Sequence, residues 1–196
     1  DLNASGEGSP SVVGNGIRYA VSKGAKVINL SLGGYSHYQY LEDCINYAHN
    51  SGVTVVIASG NENENTKNIC PAHMTNPIVV GAINSDYKRC SFSNYGSSVD
   101  LAAPGDNIIS CWVGGGYALA SGTSMAAPHI SGAAAMYRLM YPNYGSSKTA
   151  ILLRSFVQDL GASGQDDYYG KGLPKMTGPI KPLRVRSRSE ERLSRN

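Results

Sequence analysis

Three short apolar runs constrain what this chain can fold into. They are KVINLSL (26–32), VTVVIA (53–58) and NPIVVGAI (76–83), all rich in β-branched residues. Such runs read as buried strands, and buried strands of this kind belong to parallel sheets covered by helices. The segments around them agree. Val13, Ile17, Ala20 and Val21 recur at helical spacing before Gly24, and Leu41, Ile45 and Ala48 share one helical face before Asn50 and Gly52. Helix–strand–helix–strand with short joins predicts an α/β fold, a parallel sheet flanked by helices. DLAAPG, NIISCWVGG and YALASG predict shorter strands with glycine turns. Helices are predicted from Thr123 or Ser124 onward and over 147–160, and no internal repeat interrupts the order.

The 196 residues are enough for one domain with a real core. Only 16% are charged, while Gly numbers 23 and Tyr 13, which suits a compact extracellular protein better than a disordered one. No run of 18 apolar residues occurs, so no membrane segment is expected. The opening Asp1-Leu2-Asn3 has neither methionine nor signal peptide, which predicts a processed product or a piece of something longer. The net charge of +3 is uneven, because Lys181, Arg184, Arg186, Arg188, Arg192 and Arg195 oppose only Glu190 and Glu191 in the last 16 residues. Nucleic-acid binding is one reading of that basic tail. With no aromatic residue to stack on bases, a solvated, disordered extension over 179–196 is the expectation instead, and no nucleic-acid partner is expected.

Ser124 stands in SGTSMAAPHISG (121–132), at the start of the predicted helix. Pro128 is tolerated only in a first turn, where its missing N–H is an orphan anyway. Ser124 therefore lies at a helix N-terminus, where free N–H groups and the dipole favour negative charge. A nucleophile that generates an oxyanion gains from that place, although a serine there can equally be a simple cap. In a parallel sheet, function gathers at the carboxyl ends of strands. Two such ends are glycine-rich here, SLGG (31–34) and SGNEN (59–63). Asn61 offers a neutral donor for an oxyanion, or else is a turn residue after Gly60.

VINLSLGG, VVIASGN, SFSNYG, DLAAPG and SGTSMAAPHISG occur here in the order found in subtilisin-like serine proteases. The chain resembles the subtilase family, and its proteinase K-like branch in particular, over most of its length. The resemblance implies a three-layer fold, incomplete at its N-terminus, with a partial catalytic domain over 1–178. It also implies a serine endopeptidase with Ser124 as acyl-forming nucleophile and Asn61 as oxyanion donor. Ser31, Leu32 and Gly33 would be one edge that pairs with an extended polypeptide substrate. Glu7 and Gly8 would belong to the second edge, and Ala58, Ser59 and Gly60 to a wall of an uncharged specificity pocket. An inhibitory propeptide, a monomeric state and secretion are further implications. The chemistry needs no cofactor, but Asp100 falls where the branch holds a structural calcium, with Thr75 and Pro77 backbone oxygens as its partners. The alternative for Asp100 is a turn cap.

The chain departs from the family in one respect. The family's aspartate and histidine motifs, D-[ST]-G and HGTH, do not occur, and the four histidines are His37, His49, His73 and His129. At 100° per residue, His129 points about 140° away from Ser124 on the same helix and cannot take its proton. The chain alone is therefore expected to be inactive. The second reading is a non-catalytic interaction domain that keeps the fold. The four cysteines contain no C-x-x-C pair, which argues against zinc. By analogy with related extracellular subtilases, Cys70 and Cys90 are expected to be bridged, leaving Cys44 and Cys111 free. The alternative is four free thiols.

Overall fold

A computed structural model describes residues 8–176. Glu7 and the basic tail lie outside the described residues. The chain runs α1 (Pro10–Ser22), β1 (Val27–Leu30), α2 (Gln39–Asn50), β2 (Thr54–Ala58), a 3-10 turn (Thr66–Asn68), β3 (Ile78–Ile83) and β4 (Val99–Pro104). Then come β5 (Ile108–Cys111), β6 (Tyr117–Ala120), α3 (Thr123–Met140), α4 (Ser146–Ser155), β7 (Val157–Gln158) and β8 (Leu173–Pro174). Strands β1–β4 form one parallel sheet in sequence order, starting from Val27 opposite Thr54. β5 and β6 form an antiparallel hairpin, and β7 pairs with β8.

The period-2 geometry of the strands divides their side chains between two cores. Val56, Ala58, Ile78, Val80, Leu101 and Ala103 face α3 and α4, where Ala126, Ala127, Ile130, Ala134 and Leu153 close the layer. Val55, Ile57 and Val79 face the other way, against Ile17 of α1 and Leu41, Cys44, Ile45 and Ala48 of α2, and Val99 joins them because a register shift between β3 and β4 breaks the alternation before Leu101. This is the three-layer α/β arrangement anticipated above, and β2 and β3 are buried along their whole length because both faces are covered. α3 can lie close to the sheet because its inner face is largely alanine. Gly105, just past β4, leaves no room between β3 and the start of α3, since a Cβ there would sit 2.7 Å from Ala82 Cβ and 2.8 Å from the Gly122 carbonyl oxygen. No described helix is long and apolar enough to cross a membrane.

Three expectations are corrected. Cys70 and Cys90 are not bridged, and all four cysteines are free thiols, with only Cys111 exposed. The reason is that the two side chains serve different surroundings. Cys90 packs in the α3-side core, whereas the Cys70 thiol donates to Glu42 Oε1 at 3.6 Å on the α2 side. The last long helix is shorter than predicted, ending at Ser155, after which Val157 and Gln158 pair with β8. Finally, Pro128 lies past the first turn, inside α3. Proline has no N–H to give the carbonyl four residues back, that of Ser124. The Ser31 hydroxyl takes that place, donating to the Ser124 carbonyl oxygen at 3.0 Å.

Candidate active site

Ser124 stands in the first turn of α3, at the carboxyl end of the parallel sheet. In that turn its N–H has no intrahelical acceptor. The turn is anchored on both sides. Ser131 Oγ donates to Asn29 Oδ1 at 2.8 Å, Asn29 Nδ2 donates to Ser31 Oγ at 2.9 Å, and Ser31 holds the Ser124 carbonyl. This relay links the end of β1 to α3. On the other side, Thr123 N–H and Thr123 Oγ1 both donate to Asn61 Oδ1, at 2.8 and 3.0 Å. An N–H must meet an acceptor, so the amide orientation is decided: its oxygen is tied to Thr123 and its NH2 group remains to donate elsewhere.

A cavity of about 140 Å³ brings these groups together, lined by Leu32, Gly33, Tyr35, Ala58, Gly60, Asn61, Ile69 and Ser124 among others. Ser59 is fully buried and turns its hydroxyl inward toward the Asn94 carbonyl, 3.4 Å away. A second, wider groove of about 510 Å³ adjoins it, and its lining includes Ser31, Leu32, Gly33 and Gly34 together with Gly8 and Pro10. Of the residues singled out in the sequence, the structure thus gathers Ser124, Asn61, Leu32, Gly33, Ala58 and Gly60 at one cavity, with Ser31 and Gly8 at the adjoining groove. Ser59 stands behind the wall and not in it.

Asn94 was not singled out, yet it shapes the loop that carries Asn61. It is fully buried. Its Oδ1 accepts from the N–H groups of Glu62 at 3.0 Å and Glu64 at 2.8 Å. Its Nδ2 donates to the Ser59 carbonyl at 3.0 Å and to Glu62 Oε2 at 2.7 Å. Glu62 Oε2 in turn accepts from Asn61 N–H at 2.9 Å. Gly60, at φ +103°, completes the bend, and a Cβ there would fall 2.2 Å from Asn94 Nδ2. The one signal available beforehand was the Asn of SFSNYG, a polar residue set in a motif. Thr123 and Asn29 were missed in the same way, because their partners are distant in sequence.

The four histidines lie elsewhere. None lines the cavity. His129 is exposed with Nδ1 2.9 Å from the Met125 carbonyl, and His49 Nε2 lies 3.4 Å from Ser147 Oγ. His37 and His73 meet each other beside Glu42.

The surroundings of Asp100 do not fit a calcium ion. Arg154 Nη2 donates to Oδ1 at 2.6 Å and Val79 N–H to Oδ2 at 2.9 Å, so a guanidinium occupies the side where a cation would need open oxygens. Thr75 is exposed and Pro77 buried. Burial pushes the Asp100 carboxyl up to about 6, against the opposing pull of Arg154 and the Val79 N–H.

Known proteins resemble this chain in sequence and in fold. The profile of the subtilase family (Peptidase S8) matches residues 1–172. Subtilisin DY of Bacillus licheniformis is 40% identical over 176 residues, which cover 88% of this chain and 63% of that protein. Subtilisin Savinase of Lederbergia lenta is 40% identical over 172 residues, covering 88% of this chain and 62% of that protein. Among solved structures, a cold-adapted subtilisin-like serine proteinase superposes with a TM-score of 0.82 at 37% identity, over 88% of this chain and 64% of that one. The chain spans less than two thirds of the length of these relatives. A profile match over most of the chain, relatives at this identity and the shared three-layer fold lead to one conclusion: the chain belongs to the subtilase family.

Proposed function

We propose that this chain is part of a serine endopeptidase in which Ser124 attacks the peptide carbonyl and forms an acyl-enzyme. The observation that carries this reading is the Thr123–Asn61 pairing, which ties the amide oxygen back and leaves Nδ2 as a donor beside Ser124 in the same cavity. A tetrahedral oxyanion formed on Ser124 would be held by Asn61 Nδ2 and by the free Ser124 N–H at the positive end of α3. Both donors are set before the reaction, so little reorganisation accompanies charge development. The proton of Ser124 needs a base, and none of this chain's histidines lines the cavity. In this proposal an imidazole from a further part of the protein supplies it. When the intermediate collapses, the carbonyl reforms and the amine leaves with that proton.

The substrate in this reading is an extended polypeptide. Its backbone would run along Ser31–Gly34, with Gly8 across the groove, and one side chain would enter the cavity. Leu32, Ala58, Gly60 and Ile69 offer an uncharged wall, and the Glu62 carboxylate is already engaged by Asn61 and Asn94. An apolar or aromatic side chain suits that lining. Secretion is part of the same reading.

Treatment of the full-length protein with a fluorophosphonate probe tests it. Ser124 should be labelled, and Ser124→Ala should abolish the label at that peptide. A full-length, folded protein that takes no label at Ser124 would instead be a non-catalytic member that keeps the fold.

A further inference from the structure

We propose that His37, Glu42 and His73 form a binding site for a divalent transition-metal ion of the zinc class, away from Ser124. The three come from separate segments: the loop after β1, the first turn of α2 and the loop before β3. His37 Nδ1 lies 3.3 Å from Glu42 Oε1, and His73 Nε2 lies 3.4 Å from the same oxygen. All three donor atoms are within 4.8 Å of one another, with the two rings edge to face at 4.6 Å. Among the described residues this is the cluster of His, Cys, Asp and Glu that converges this closely.

The protonation pattern points to a cation. His73 Nδ1 is 3.1 Å from the Ile69 carbonyl oxygen, which can only accept, so Nδ1 carries the proton. With Nδ1 protonated, Nε2 faces a carboxylate oxygen that can only accept. A proton or a metal ion must lie between them. Tetrahedral zinc with bonds near 2.0–2.2 Å separates its nitrogen and oxygen ligands by about 3.3–3.5 Å, the spacing that Glu42 keeps to both rings. A ligating histidine whose other nitrogen donates to a carbonyl is the usual supporting arrangement, since it settles the tautomer and the ring orientation. The Cys70 thiol donates to the same Glu42 Oε1 at 3.6 Å and so helps to hold the carboxylate in place. Two imidazoles with one carboxylate suit zinc and its neighbours, whereas calcium and magnesium prefer oxygen alone. The absence of C-x-x-C pairs did not bear on this set, because none of its three ligands is a cysteine.

The site has a mechanical consequence. Gly34 and Cys70 already pair through both backbone bonds, at 2.9 and 2.8 Å. An ion on His37 and His73 would clamp the same two segments a second time. One of them carries Leu32–Gly34 and the other Ile69, and both line the Ser124 cavity. Metal occupancy would thus stiffen the wall without touching Ser124.

The test uses the full-length protein stripped with chelator and titrated with Zn²⁺ alone by calorimetry, then with Co²⁺ by visible absorption. His37→Ala is the comparison, since this side chain is 65% exposed and its loss should leave the fold intact. The wild type should take up one more equivalent of Zn²⁺ than His37→Ala, show the intense visible bands of tetrahedral Co²⁺, and gain thermal stability from Zn²⁺ that the variant does not. Glu42→Gln should weaken the same binding at least tenfold. Equal Zn²⁺ stoichiometry and affinity in wild type and His37→Ala would overturn the proposal, as would an unchanged melting temperature in both.

Discussion

Replacing Asn94 by aspartate changes one NH2 group into an oxygen and tests whether this buried amide organises the loop that carries Asn61. The acceptor side of Asn94 survives the change, because Oδ1 can still receive Glu62 and Glu64 N–H. The donor side is reversed. The new oxygen would face the Ser59 carbonyl, now 3.0 Å from Nδ2, and Glu62 Oε2, now 2.7 Å from it. Loss of one neutral and one charge-assisted bond costs roughly 1 and 2 kcal/mol. Two carboxylates at hydrogen-bond distance repel by a further several kcal/mol at an effective dielectric of about 20. Asn94→Asp should therefore lose at least about 3 kcal/mol at pH 8. At pH 5 the pair can share one proton, as closely spaced carboxyls do, and the proton restores a donor between them. The loss should then shrink markedly. Urea denaturation of full-length protein in a Ser124→Ala background, which prevents self-cleavage, measures both values. A loss under about 1 kcal/mol at pH 8, or one equal at the two pH values, would refute the reasoning.

Other outcomes follow from the same geometry. In the full-length protein Asn61→Ala should lower kcat by about 10²–10³, the loss found for one oxyanion donor in subtilisin, with KM nearly unchanged; a rise in KM alone would make Asn61 a binding residue. Asp100 has a folded pKa raised to about 6. Its contribution to stability is thus full below about pH 4 and is lost as pH rises through about 6, a decline of about 3 kcal/mol relative to Asp100→Asn. Denaturation curves at pH 4 and 7 that run the other way would mean the Arg154 pair outweighs burial. Of the four thiols here, Cys111 should react with a thiol reagent in the native protein while buried Cys44, Cys70 and Cys90 wait for unfolding. Burial pushes the Cys70 and Cys90 thiols up, which slows them further. Peptide mapping without reductant should recover all four unbridged.

Patterns local in the chain were legible before the fold was known. The β-branched runs 53–58 and 76–83 became β2 and β3 because a strand buried on both faces must be apolar along its whole length. The helical spacing of Leu41, Ile45 and Ala48 became the buried face of α2 for an equally local reason. Ser124 at a helix start and Asn61 at a strand end were also readable, since helix and strand ends announce themselves in nearby residues. What escaped were the relations between distant residues. Ser31 answers a carbonyl freed by Pro128, Asn94 holds a loop some 30 residues before it, and Cys70 and Cys90 pack in different places. His37, Glu42 and His73 met only when the loop after β1 closed on the loop before β3. Periodicity reports which side of an element is apolar, and no local pattern reports which polar group another element brings to it. Each buried donor and acceptor still had to find a partner, and that partner was set by how the three layers packed.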